Sequence, residues 1–145
     1  MRKAMFLIAV FGLVGTLWAA DPFVGTWKLN VAKSNANPNP KSQTLKISAQ
    51  GSSFKWAFET VEADGKATNG VWSGKYDGKD YTLTENTEFD TVATKKINAN
   101  TLDSVMKKGG KEVGTGQEVV SKDGKTLTLT SKNAQGQSVS VYDRQ

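Results

Sequence analysis

The sequence predicts an all-β protein, a single up-and-down antiparallel meander barrel of about 8–10 strands, standing behind an N-terminal export segment. Three observations predict it. Apolar and polar residues alternate over short runs, the two-residue period of a strand with one buried face. Turn signals built on Asp-Gly, Asn and Gly separate those runs. No segment shows the periodicity of an amphipathic helix.

Arg2 and Lys3 precede an uncharged apolar stretch from Ala4 to about Trp18, and Ala19 and Ala20 offer small residues before Asp21. That layout predicts a signal peptide over residues 1–20 and a barrel domain over 21–145. The stretch is shorter than the roughly 20 residues of a membrane span. No second apolar run follows, so no stable membrane span is expected after cleavage. The expected location is periplasmic or secreted.

Without Arg2 and Lys3 the 19 basic residues become 17 against 14 acidic, a charge of +3 spread over single lysines. A nucleic-acid binder concentrates its basic residues on one face, so no nucleic-acid partner is expected. Cysteine is absent, which excludes both disulfides and a lipid anchor on cysteine. After Ala20 the chain holds only 23 Leu, Ile, Val and Phe in about 125 residues. So thin an apolar supply suits a sheet closed on itself, where each strand contributes one inward row.

Phe23, Gly25, Trp27 and Leu29 share one face of the first strand. Leu45, Ile47 and Ala49 alternate in the second, and Phe54, Trp56 and Phe58 in the third. Later strands are predicted through Val71 to Tyr76, Tyr81 to Leu83, Thr91 to Ile97, Leu102 to Met106, Val113 to Val120, Leu127 to Leu129 and Val139 to Arg144. The triplet Asp-Gly-Lys recurs at Asp64, Asp77 and Asp123 and reads as repeated turns. It lacks the alternating ligand series and distal Glu of a calcium loop. The one long connection, Val31 to Ser42, contains Pro38 and Pro40 and reads as an extended surface loop.

The strand Phe23-Val24-Gly25-Thr26-Trp27-Lys28-Leu29 resembles the opening strand of calycins, the group of lipocalins, fatty-acid-binding proteins and avidins. Val139-Ser140-Val141-Tyr142-Asp143-Arg144 resembles the closing strand of fatty-acid-binding proteins. The whole domain is similar to small secreted bacterial lipocalin-like proteins. In a closed meander the first and last strands are neighbours. Trp27 and Arg144, the lone arginine after residue 20, are therefore expected to stack and close one barrel end, with Gly25 beside them.

The resemblance implies a small hydrophobic or amphipathic ligand inside the barrel. It also marks departures. The loop after the first strand is too short for the helix-turn-helix lid of fatty-acid-binding proteins. Their Arg-x-Tyr carboxylate clasp is replaced by Ser140-Val141-Tyr142, and the internal arginine of an earlier strand falls near Gly116-Gln117-Glu118, with Gln117 as the expected substitute. No residues match the polar ligands that avidins use for biotin.

Catalysis is not expected. Histidine and cysteine are both missing, which removes the commonest general base, the thiol nucleophile and the usual zinc ligands. Ser52 with Lys55 and Ser104 with Lys107 fit Ser-x-x-Lys, but residues three apart on a strand point to opposite faces. No cofactor or metal is implied. The candidate ligand-binding residues are Trp56, Phe58, Gln117, Ser140 and Tyr142. The aromatic row Phe54, Trp56 and Phe58 either lines a cavity or fills the core. The rival expectation is a solid barrel acting as a protein-interaction or inhibitor module through the Asn35 to Lys41 loop.

Overall fold

The structure, a computed structural model, describes residues 20–86 and 88–145. The predicted signal peptide, Ala20 apart, lies outside the described residues. Ten strands follow one another: β1 (Gly25–Leu29), β2 (Ser42–Gln50), β3 (Ser53–Val61), β4 (Ala67–Gly74), β5 (Asp77–Thr84), β6 (Thr91–Asn98), β7 (Thr101–Lys108), β8 (Lys111–Val120), β9 (Thr126–Asn133) and β10 (Gly136–Arg144). Each pairs antiparallel with its sequence neighbours, and β1 closes on β10. The result is a closed up-and-down barrel, so the predicted fold class is the observed one. Closure leaves no unpaired edge to template aggregation. Among the described residues the only helical element is a 3-10 turn at Val31–Lys33, so no helical lid follows β1.

Strand direction alternates, so the connections fall at the two ends in turn. The residues before β1 and the β2–β3, β4–β5, β6–β7 and β8–β9 connections share one end. That end is plugged. Trp27 and Arg144 are cross-strand partners, and the guanidinium carbon lies 4.1 Å from the centre of the fully buried indole. Arg144 donates to three carbonyls, those of Gly124 (2.6 Å), Val24 (2.9 Å) and Pro22 (2.6 Å). A lysine has no planar fork with which to stack and bond at once. The indole Nε1 donates to the Phe23 carbonyl at 2.9 Å. Gly25 has a φ of +150°, and a Cβ there would collide with Arg144 Nη1, so only glycine fits.

Phe23 packs against Trp56 and Tyr76, and Tyr76 stacks on Phe54 with ring centres 4.0 Å apart. Leu45, Ile47, Leu102, Val120 and Leu127 complete the plug, all buried. This inward row is what the alternation in β2, β3 and β7 dictates: Lys46 and Glu59, on the outer face of β2 and β3, pair at 3.5 Å instead.

β4 and β5 pair through only two residue partners, Val71 with Thr84 and Trp72 with Leu83. Tyr81 packs edge-on to Trp72 there, and the Trp72 indole donates to the Val92 carbonyl at 3.1 Å. At the three Asp-Gly-Lys turns the aspartate carboxylate accepts from the lysine N–H. Only the glycine takes positive φ, so these are not the two-residue turns that need it at both positions.

The long connection after β1 is not a free arm. Asn30, Ser34 and Asn35 extend the ladder on β10: the Asn35 amide donates to the Val139 carbonyl, and its side-chain oxygen accepts from the Val139 N–H. β1 is short, and these bonds satisfy the part of β10 that β1 does not reach.

Candidate functional site: the open half of the barrel

A cavity of about 610 Å³ fills the open half, within the roughly 300–1,000 Å³ range of small-molecule sites. This weighs against the rival expectation of a solid barrel. The physical reason lies in the side chains: on the open half the inward positions of several strands are small or polar, including Thr60, Thr94, Ser104 and Gly116.

The wall has two chemistries. Trp56, Phe58, Trp72, Leu83, Phe89, Val92, Met106 and Leu129 supply apolar surface. Gln43, Thr60, Thr94, Ser104, Glu118 and Tyr142 supply polar groups. Glu62, Lys66, Thr68, Glu85, Asn86 and Glu88, near the strand ends, form the rim.

Of the residues singled out from sequence, Trp56, Phe58 and Tyr142 all face the cavity. Trp56 serves both halves, because its indole donates to the Tyr76 hydroxyl at 2.9 Å and ties the floor to the plug. Its burial also means that Lys55 has no exposed indole beside it, so no stacking platform for nucleic acid forms there. The Tyr142 hydroxyl donates to Gln43, whose amide donates in turn to Thr60 Oγ1 at 2.7 Å. Burial pushes the Tyr142 phenol up, and the Ser140 hydroxyl offsets part of that rise.

Two expectations need correction. Ser140 shares the inward face but does not reach the cavity; it supports Tyr142. Gln117 points outward, exposed, and donates to Asp103 at 3.1 Å. The strand register explains this: Gly114, Gly116, Glu118 and Val120 form the inward row of β8, and Val120 is buried in the plug. The residue that enters the barrel is therefore Glu118, one position on.

Glu118 is the feature that sequence reading missed. Its partly accessible surface is cavity wall. Both carboxylate oxygens lie 3.0 Å from Ser104 Oγ, and Ser104 in turn lies 3.2 Å from Thr94 Oγ1. With the carboxylate ionised, Ser104 spends its proton on Glu118 and accepts one from Thr94. Burial dominates the acidity, lifting the carboxyl to about 7, against the Ser104 bond that lowers it; Asp103 adds a further rise. No cation partners it among the described residues. The Ser-x-x-Lys pair that contains Ser104 diverges as the strand geometry requires, Lys107 pairing outside with Asp80 at 2.9 Å.

No protein-family model matches the chain, and no curated protein sequence does. Solved structures do match. A fatty-acid-binding protein of Schistosoma mansoni in complex with arachidonic acid is 14% identical, with a TM-score of 0.66 over 86% of this chain and 96% of its own. Echinococcus granulosus fatty-acid-binding protein 1 is 20% identical, with a TM-score of 0.62 over 85% and 97%. A variant of the fluorescent protein UnaG is 20% identical, with a TM-score of 0.58 over 86% and 96%. At these identities the likeness shows the fold alone, a closed ten-stranded up-and-down barrel.

Proposed function

We propose that this chain is an exported, non-catalytic barrel that holds one small hydrophobic or amphipathic molecule in its open half. The observation that supports it most is the cavity of about 610 Å³, walled by aromatic and aliphatic side chains with a few convergent polar groups. A barrel selected only for stability gains by filling such a space, because an unfilled one forfeits packing contacts. The schistosome neighbour is in complex with arachidonic acid, an amphipathic molecule. Export rests on the Arg2-Lys3 start, the apolar run and Ala19-Ala20. A non-catalytic role rests on the lack of histidine and cysteine in these 145 residues.

Two measurements test this. The neutral fluorophore N-phenyl-1-naphthylamine should brighten on the protein with one-to-one stoichiometry, and native mass spectrometry should detect a co-purifying small molecule. A protein that takes up neither the fluorophore nor any cellular small molecule overturns the reading. Export predicts a periplasmic or secreted product whose mass corresponds to a chain beginning near Asp21.

A further inference from the structure

The polar chemistry of the cavity selects among amphipathic ligands. Four carboxylates line it, Glu62, Glu85, Glu88 and Glu118, against the single cation Lys66. The only arginine after residue 20 is committed to the far end of the barrel, bonded to three carbonyls. A ligand carboxylate therefore meets like charge at the rim and finds no guanidinium inside.

Glu118 adds the specific contact. It stands at the cavity floor, between the lining position Gly116 and the plugged position Val120 on the same strand face. Ser104 is its one side-chain donor among the described residues. Two carboxylate oxygens have about four acceptor sites, so capacity remains toward the cavity. Trp56 and Phe58 on β3 and Trp72 on β4 line the same cavity from across the barrel, and aromatic rings favour a cation.

We propose, building on the ligand-binding reading above, that the cavity takes an apolar molecule carrying a cationic amine, with the Glu118 carboxylate as its counter-ion and the rim carboxylates drawing it in. The desolvation of Glu118 has already been incurred on folding, so an amine gains the charge pair at the expense of its own hydration alone.

The test compares three probes with one apolar body: decylamine, decanol and decanoate, each displacing N-phenyl-1-naphthylamine from the full protein at pH 8. Decylamine should bind more tightly than decanoate by roughly 30-fold or more, the lower range for a buried charge pair, with decanol between. Glu118→Gln should shrink that preference, weakening decylamine far more than decanol. In the unaltered protein, decylamine affinity should fall as pH drops from 8 to 5, while decanol affinity holds. Glu118 protonates in that window. The groups around it that bear on this titration are Asp103 and Tyr76, with Ser104 on β7, Thr94 on β6 and Leu129 and Ser131 on β9 carrying no charge; Glu62, Lys66, Glu85 and Glu88 face it across the cavity.

Equal affinities, or a preference for decanoate, overturn the amine assignment and leave the ligand-binding reading standing. An amine preference that survives Glu118→Gln and shows no pH dependence overturns the role of Glu118. Failure of the fluorophore and of all three probes overturns the ligand-binding reading itself.

Discussion

At one end of the barrel Phe23, Trp27, Tyr76 and Arg144 leave no space, and every polar atom they bring inside has a partner: the Trp27 indole on Phe23, the guanidinium on three carbonyls, the Tyr76 hydroxyl on Trp56. At the other end β3, β6, β7 and β8 point Thr60, Thr94, Ser104 and Glu118 into a cavity. The first arrangement minimises free energy. The second keeps a carboxylate where burial opposes its charge, a cost that packing alone gives no reason to bear. Stability is concentrated at the plug, and the open half holds the groups suited to a ligand.

The largest expected effect breaks the plug. Trp27→Ala removes a fully buried indole, its bond to Phe23 and the surface on which Arg144 rests. Denaturant unfolding should show a loss of about 3–5 kcal/mol, the usual range for large aromatic truncations in a core. Probe affinity should be retained at low denaturant, where the variant is still folded. A variant of normal stability that no longer binds the fluorophore would reverse the division of labour between the two ends.

The plug was readable from the chain because its strand residues obey a two-residue period and because Gly25, Trp27 and Arg144 sit in the first and last strands, which a closed meander must join. β2 and β3 were readable for the same reason. β8 was not. In Val113-Gly114-Thr115-Gly116-Gln117-Glu118-Val119-Val120 two glycines carry no side-chain information, Gln117 and Glu118 are adjacent, and so are Val119 and Val120. Either face could have been inward, and a one-residue slip exchanges Gln117 for Glu118. The signal that could have decided it lay in the neighbouring strand: Ser104 stands between the inward Leu102 and Met106. A hydroxyl on an apolar row asks for a polar partner across the ladder. Ser140 failed for another reason: it stands level with the lining residue Leu129, but its hydroxyl is engaged by the Tyr142 phenol.

The second effect tests the open half and has the opposite sign. The folded protein keeps the Glu118 proton up to about pH 7, whereas the unfolded chain releases it near the ordinary value of 4.5. Between those values the unfolded state gains by deprotonating first, so this group lowers stability as pH rises from about 4.5 through 7. Above pH 7 the full penalty is present, about 3 kcal/mol from the two values. Glu118→Gln should therefore stabilise the protein at pH 8 by up to that amount and leave it nearly unchanged at pH 4. Urea titrations of both proteins at the two pH values check this. A glutamine variant less stable at pH 8 would show that the carboxylate is held for structure.

The smallest effect separates the carboxylate from its support. Ser104→Ala leaves the cavity and the plug intact but removes the one hydroxyl that favours the charged form of Glu118. The Glu118 titration, followed by carbon-13 shifts of its carboxyl, should move upward. The stability cost should be about 1 kcal/mol, the net worth of a single hydrogen bond, and larger at pH 8 than at pH 4, because the bond is strongest to the carboxylate. Thr94, left without its acceptor, contributes equally at both pH values and so cannot mimic that difference. A pH-independent cost would mean that Ser104 is held by Thr94 alone and that Glu118 faces the cavity unassisted.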